Sequence, residues 1–178
     1  MNDIVTEIYT DGSALKNPGK AGYGYLIKYY LQEENRAPKQ IIITGNQGYI
    51  VSTNNRMEMM AVINSLQKLA ELIKDEKFIT KRINLFTDSK LIADAINLNW
   101  IQKWTANNWF TFSNSPVKNK DLWEIIQQLI ELFKQNQILL KFIWIKGHNG
   151  NTYNELVDHL AGSAAVKGPW LVDKNYIN

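Results

Sequence analysis

The chain contains no cysteine, which excludes disulfides and thiolate-bound zinc. It has no apolar run near the ~20 residues that a membrane span requires. Its first residues, MNDIVTEIYT, lack the basic and apolar segments of a secretion signal, and the resulting expectation is a cytoplasmic protein with no membrane association. Internal repeats, linkers and low-complexity stretches are also missing, so residues 1–178 are expected to form one domain. Strong charge of either sign is lacking as well. A formal net charge of +3 and a pI near 8.9 suit a polyanionic partner without specifying one.

What is present is ordinary globular composition, 45% hydrophobic and 21% charged over 178 residues, enough to bury a sizeable core. Ile4 to Thr10 is β-rich and leads to Asp11 and a Gly/Asn/Pro turn. Tyr23–Tyr30 and Gln40–Thr44 read as second and third strands, with Gly45–Asn55 as a connection. Helical spacing follows from Asn55, through Met59, Val62, Ile63, Leu66 and Ile73. KRINLFT (81–87) is a fourth strand ending on Asp88, and LIADAINLNWI returns to helical spacing. The Trp- and Asn-rich stretch to Ser115 is ambiguous. KNKDLWEIIQQLIELFKQN is a strong amphipathic helix, ILLKFIWI (138–145) a fifth strand, and Asn154–Val166 a final helix. The order predicts an α/β fold: a five-stranded mixed sheet, an antiparallel three-stranded meander plus parallel strands, flanked by helices.

Two strands end alike, IYT-Asp11 and LFT-Asp88. Side by side and parallel, they would deliver both carboxylates to the carboxyl edge of the sheet, where ligands of open α/β sheets bind. Adjacent carboxylates repel and raise each other's pKa unless a proton or cation lies between them. Glu58, in the first turn of a helix but off the centre of its apolar stripe, and Asp158 on the last helix could complete a hard-oxygen cluster. With His148 the only imidazole nearby, that cluster suits Mg²⁺ or Mn²⁺ rather than zinc. Taken singly, Asp11 and Asp88 are also what a turn or helix cap uses, and Glu58 and Asp158 what a solvated helix uses.

The segments YTDGSALKNPG, STNNRMEMMA, FTDSK, PVKNKDLWE and WIKGHNGNTYNELVDHLA occur in the order and spacing of a known family. The sequence resembles the type 1 ribonucleases H, close to the single-domain bacterial enzymes, across nearly its whole length. The resemblance implies an RNase H-like fold and hydrolysis of the RNA strand of RNA–DNA hybrids, without sequence preference, leaving 3′-hydroxyl and 5′-phosphate ends. Asp11, Glu58, Asp88 and Asp158 match the family's ligands for two Mg²⁺ ions, with Mn²⁺ as the alternative. His148 matches a histidine that shuttles protons or assists product release. Asn17, Asn54, Asn55 and Asn154 are similar to residues that reach the hybrid's minor groove and 2′-hydroxyls. Thr53 and Asn119 match part of a DNA-strand phosphate pocket, and Trp100 and Trp123 match aromatic positions beside the DNA channel and the adjoining helix, with Trp123 as much a core residue as a contact. The resemblance further implies a monomer with no obligate protein partner, removing RNA primers and resolving R-loops.

Three departures bear on affinity. The protrusion that is strongly basic in many relatives reads KWTANNWFTFSNSP, with Lys103 its only cation. Fewer phosphate contacts imply weaker, less salt-dependent binding, with Trp104, Trp109 and Phe110 supplying part of the grip. Val51 stands where an arginine often completes the phosphate pocket. Lys90 stands where glutamine is common, able to contact a phosphate or lower the pKa of neighbouring acids. Two rival readings keep the fold: a resolvase-, integrase- or transposase-like nuclease, and a hybrid-binding module without activity. The first is not expected to carry the Asn-Asn-Arg-Met-Glu and Gly-His-Asn-Gly segments, and the second predicts a lost carboxylate where all four are present.

Overall fold

The computed structural model describes residues 4–147 and 150–176. Its elements in chain order are β1 (Val5–Ala14), β2 (Gly19–Leu31), β3 (Lys39–Ser52), α1 (Asn54–Leu72), β4 (Arg82–Thr87), α2 (Lys90–Asn97), α3 (Trp100–Ala106), α4 (Lys120–Gln135), β5 (Leu139–Trp144), α5 (Thr152–Lys167) and β6 (Trp170–Leu171). The sheet runs β5-β4-β1-β2-β3-β6. β1, β2 and β3 are antiparallel, β4 and β5 run parallel to β1, and β6 pairs parallel with β3. This is the expected α/β sandwich, with six strands rather than five. The added strand is two residues long, too short to leave a periodic signal.

Alternation along the strands sorts the two faces. Ile8 and Ile27 point into a core shared with Met59, Leu66, Ile126 and Phe133 of α1 and α4. Their neighbours Tyr9 and Leu26 point the other way, against Val157 of α5. Helices therefore cover both faces, and burial of such aliphatic side chains contributes roughly 1.5–3 kcal/mol each.

Two strands are longer than expected. β1 continues through Asp11 to Ala14, so that Asp11 lies within the strand, opposite Gly24 of β2. β3 runs on to Ser52 through the segment read as a connection. Its glycines, which resemble loop punctuation, serve packing: a Cβ on Gly45 would stand 2.3 Å from the Tyr25 ring, and one on Gly48 would stand 2.4 Å from the Ala164 carbonyl of α5.

The ambiguous stretch resolves into the short helix α3 and a hydrogen-bonded protrusion. Asn99, Asn108, Asn114 and Asn119 all adopt left-handed backbone, φ between 51° and 59°, which asparagine tolerates better than most residues. The asparagines thus stop and restart helices. Trp109, at φ 63°, does the same without that tolerance.

Candidate active site

β1 and β4 are adjacent and parallel in the middle of the sheet, with Thr10 beside Thr87, so Asp11 and Asp88 follow from the same level. Asp11 is 7% exposed, and its Oδ1 accepts the Gly12 N–H at 2.7 Å. α1 begins directly against this point, because Gly12 has no side chain. A Cβ there would stand 2.3 Å from the Glu58 nitrogen and 2.6 Å from the Met57 carbonyl carbon. On the other face Gly24 does the same for α5, where a Cβ would lie 2.6 Å from the Val157 oxygen. Two glycines flanking Asp11 thereby let the backbones bearing Glu58 and Asp158 close on it. Thr53 caps α1 by accepting the Arg56 N–H at 3.3 Å.

The electrostatics show the grouping. Burial, then the neighbouring Asp88, and to a smaller degree Asp158 and Glu58 push the Asp11 carboxyl up to about 8, against the opposing Gly12 N–H. Burial and Asp88 hold Glu58 at about 7, opposed by hydrogen bonds from Ser89 and Asn54. The Asn54 amide reaches Glu58 Oε1 at 2.8 Å, and the Asn54 N–H donates to Asn17 Oδ1 at 3.2 Å. One chain of contacts therefore links the β1–β2 turn to the cluster. Asp88 is held from β5, whose Trp144 indole donates to its carbonyl at 3.1 Å. Among the described residues no three such side chains form a preassembled ion cage; the four carboxylates are neighbours through their fields. An all-oxygen donor set in which Asp11 and Glu58 resist ionising without a counter-charge fits a hard divalent cation.

Beside the cluster, at the N-terminus of α1, a cavity of about 570 Å³ is lined by Asn17, Thr53, Asn55, Lys118 and Asn119. Helix N–H groups and a lysine make it suited to an anion. Its floor was not foreseen. Arg56, 2% exposed, binds Asp121 through Nη1 and Nη2 at 3.0 and 2.9 Å, and Asp173 through Nε and Nη2 at 2.7 and 2.9 Å. Ser52 Oγ donates to Asp173 at 2.6 Å. Arg56 and Asp121 lie inside motifs already singled out, but nothing in their spacing identifies Asp173 as the partner.

The other expected residues divide. Asn55 and Lys90 are exposed, and Trp100 is partly exposed at the start of α3. Asn154 is 3% exposed, its Oδ1 buried and without a hydrogen-bond partner among the described residues, so as placed it offers no surface to a hybrid. Of its two readings, core and contact, Trp123 takes the first. At 2% exposure, packed 5.5 Å from Trp104, it belongs to the core and has no face to offer a strand. Val51 is exposed at the end of β3. His148 lies outside the described residues.

The RNase H family pattern matches residues 3–166. A ribonuclease H from Actinobacillus pleuropneumoniae is 40% identical over 172 residues, 97% of each chain. Among solved structures, LC9-RNase H1, described as a type 1 RNase H with the type 2 active-site motif, is 27% identical. It superposes with a TM-score of 0.70 over 93% of this chain and 74% of its own. LC11-RNase H1, solved in complex with an RNA/DNA hybrid, shares the fold at 24% identity and a TM-score of 0.58, over 90% of this chain and 96% of its own. The chain belongs to the ribonuclease H family and is a ribonuclease, a hydrolase of phosphodiester bonds.

Proposed function

We propose that this ribonuclease cuts the RNA strand of RNA–DNA hybrids endonucleolytically and without sequence preference, leaving 3′-hydroxyl and 5′-phosphate ends. The observation that carries the reading is the placement of Asp11 and Asp88 at the same level of neighbouring parallel strands, with the backbones bearing Glu58 and Asp158 packed against Gly12 and Gly24 beside them. Asp11, Glu58, Asp88 and Asp158 would hold two Mg²⁺ ions, with Mn²⁺ the alternative. When bound, the ions supply Lewis-acid charge at the scissile phosphate and its attacking water.

The remaining work falls to the chain itself. Asn54 keeps Glu58 oriented and is itself fixed by Asn17. Asn17, Asn54 and Asn55 face the hybrid as amides that both donate and accept, as a 2′-hydroxyl does. Thr53, Asn119 and the N-terminus of α1 take a DNA-strand phosphate, while Lys90 and Trp100 border the path of the duplex. His148 would shuttle protons or assist product release. The protein acts as a single cytoplasmic domain over residues 1–178, a monomer with no obligate protein partner.

A labelled hybrid in Mg²⁺, with duplex and single-stranded RNA as controls, tests the reading. Cleavage of the hybrid alone, lost in Asp88→Asn, is the expected result. Hybrid that binds without being cut would instead favour a binding module.

A further inference from the structure

The protrusion after α3 holds a groove of about 810 Å³, walled by Trp100, Trp104, Phe110 and Phe112, with Lys103 and Asn114 on its polar rim. Phe112 is wholly exposed. It is displayed by an ordered turn. The Thr111 N–H donates to the Ser115 carbonyl at 2.8 Å, the Asn114 N–H to the Thr111 carbonyl at 3.0 Å, and the Ser115 N–H to Thr111 Oγ1 at 3.2 Å. At the base, Trp104 is fixed between Trp100 and the buried Trp123, 6.0 and 5.5 Å between ring centroids.

The occupant follows from charge and from ring chemistry. No acidic residue occurs between Asp94 and Asp121, whereas Lys103, Lys118 and Lys120 do, which favours a polyanion. Exposed aromatic faces with interspersed cations are the means by which proteins hold single-stranded nucleic acid, base by base. Bases inside a duplex already have both faces covered by their neighbours, so these rings can stack only on unpaired ones. From Val117, whose N–H donates to the Trp109 carbonyl at 2.9 Å, the chain passes directly to Lys118 and Asn119 at the anion cavity. On the reading above, that cavity holds the DNA strand.

We propose that this groove binds the unpaired bases of a DNA tail continuing from the hybrid, so that junctions between hybrid and single-stranded DNA are preferred over blunt hybrids. The inference rests on the proposed hybrid substrate, and its test separates the two.

Binding is measured in chelator, so that nothing is cut, for a blunt hybrid, the same hybrid with DNA or RNA tails, and oligothymidylate alone, read by tryptophan fluorescence. DNA-tailed hybrid should bind about tenfold more tightly than blunt, equivalent to about 1.4 kcal/mol. Phe112→Ala, at a position that packs against nothing, should remove most of that gain while leaving blunt binding and melting temperature unchanged. Equal affinity for tailed and blunt hybrids overturns the proposal. RNA tails that serve as well as DNA tails overturn the assignment to DNA. Equal weakening of blunt and tailed binding by Phe112→Ala would mean that the groove holds duplex. Phe112-dependent self-association in sedimentation would make a second copy the occupant. Oligothymidylate is scored without any hybrid, so failure of hybrid cleavage leaves the groove measurable. Intact cleavage without tail preference sinks the groove alone.

Discussion

Arg56 and Asp173, 117 residues apart, meet through two hydrogen bonds, Nε to Oδ2 at 2.7 Å and Nη2 to Oδ1 at 2.9 Å. Both side chains are almost fully buried, and the pair ties the segment after β6 to the start of α1. Removing one partner of a buried pair leaves an uncompensated charge and costs on the order of 3–5 kcal/mol. Asp121 remains with Arg56, so Asp173→Ala is expected near the lower figure. For a chain of this size that is roughly 6–12 °C in melting temperature. Thermal unfolding by circular dichroism checks it, and a loss below about 2 °C would show that Asp121 suffices alone.

Gly12→Ala should damage both stability and catalysis. The added Cβ meets backbone of Met57 and Glu58, which cannot rotate aside, so α1 must shift. Overpacking of this kind costs roughly 1–3 kcal/mol. The larger effect is expected on cleavage, because the displaced residue bears a carboxylate of the cluster. A variant with normal turnover would show that the approach of α1 to β1 is not what sets Glu58.

The metal-free protein should lose stability as pH rises. Asp11 titrates near 8 and Glu58 near 7 in the fold, both above their ordinary carboxylate values of 3.8 and 4.5. The folded state therefore keeps protons that the unfolded chain has released. The stabilisation from this source is complete below about pH 4 and is lost as pH passes through 7 to 8. Melting temperatures in chelator at pH 5.5 and 8.5 should fall in that order, and Mg²⁺ should restore the value at pH 8.5 by binding only the folded form. A rising or flat profile in chelator contradicts the shifts.

Asp11→Asn isolates the same cost. The amide keeps the oxygen that accepts the Gly12 N–H and removes a buried charge repelled by three others. Cleavage should vanish while the metal-free protein at pH 8.5 melts higher, by about 2–4 °C per kcal/mol recovered. Lower stability at that pH would show that the charge is not a burden in the fold.

Restoring cations to the protrusion should steepen salt dependence. Thr105 and Asn107 are exposed at the end of α3. Thr105→Lys and Asn107→Lys should each tighten hybrid binding and add about one to the slope of log affinity against log salt, as one phosphate contact does. An unchanged slope would place the duplex elsewhere.

Much of this was legible in the sequence because local pattern and topology agree. Two strands with the ending T-Asp, separated by a meander and a helix, admit few arrangements other than neighbouring parallel strands, so Asp11 and Asp88 could be paired from sequence alone. Glu58 and Asp158 could be offered as candidates for the cluster but not placed in it, since a helix period says which face is polar but not what it meets. The glycines of β3 misled, because a missing side chain looks the same whether the chain is turning or another element is pressed against it. Trp123 could be read either way, because aromatic residues serve core and ligand alike and only exposure decides. Asp173 could not be found, as a long-range ion pair leaves no local trace.

The position of β1 and β4, flanked on both sides in the sheet, has a consequence for heat inactivation. Asp11 lies in, and Asp88 directly follows, interior strands whose amides open only when the whole domain opens. Chemistry at this site should therefore persist up to the global transition, with loss of turnover and loss of tertiary structure on one curve. The exposed tip of the protrusion at Phe112, which packs against nothing, can be altered by evolution or by design with little effect on that curve.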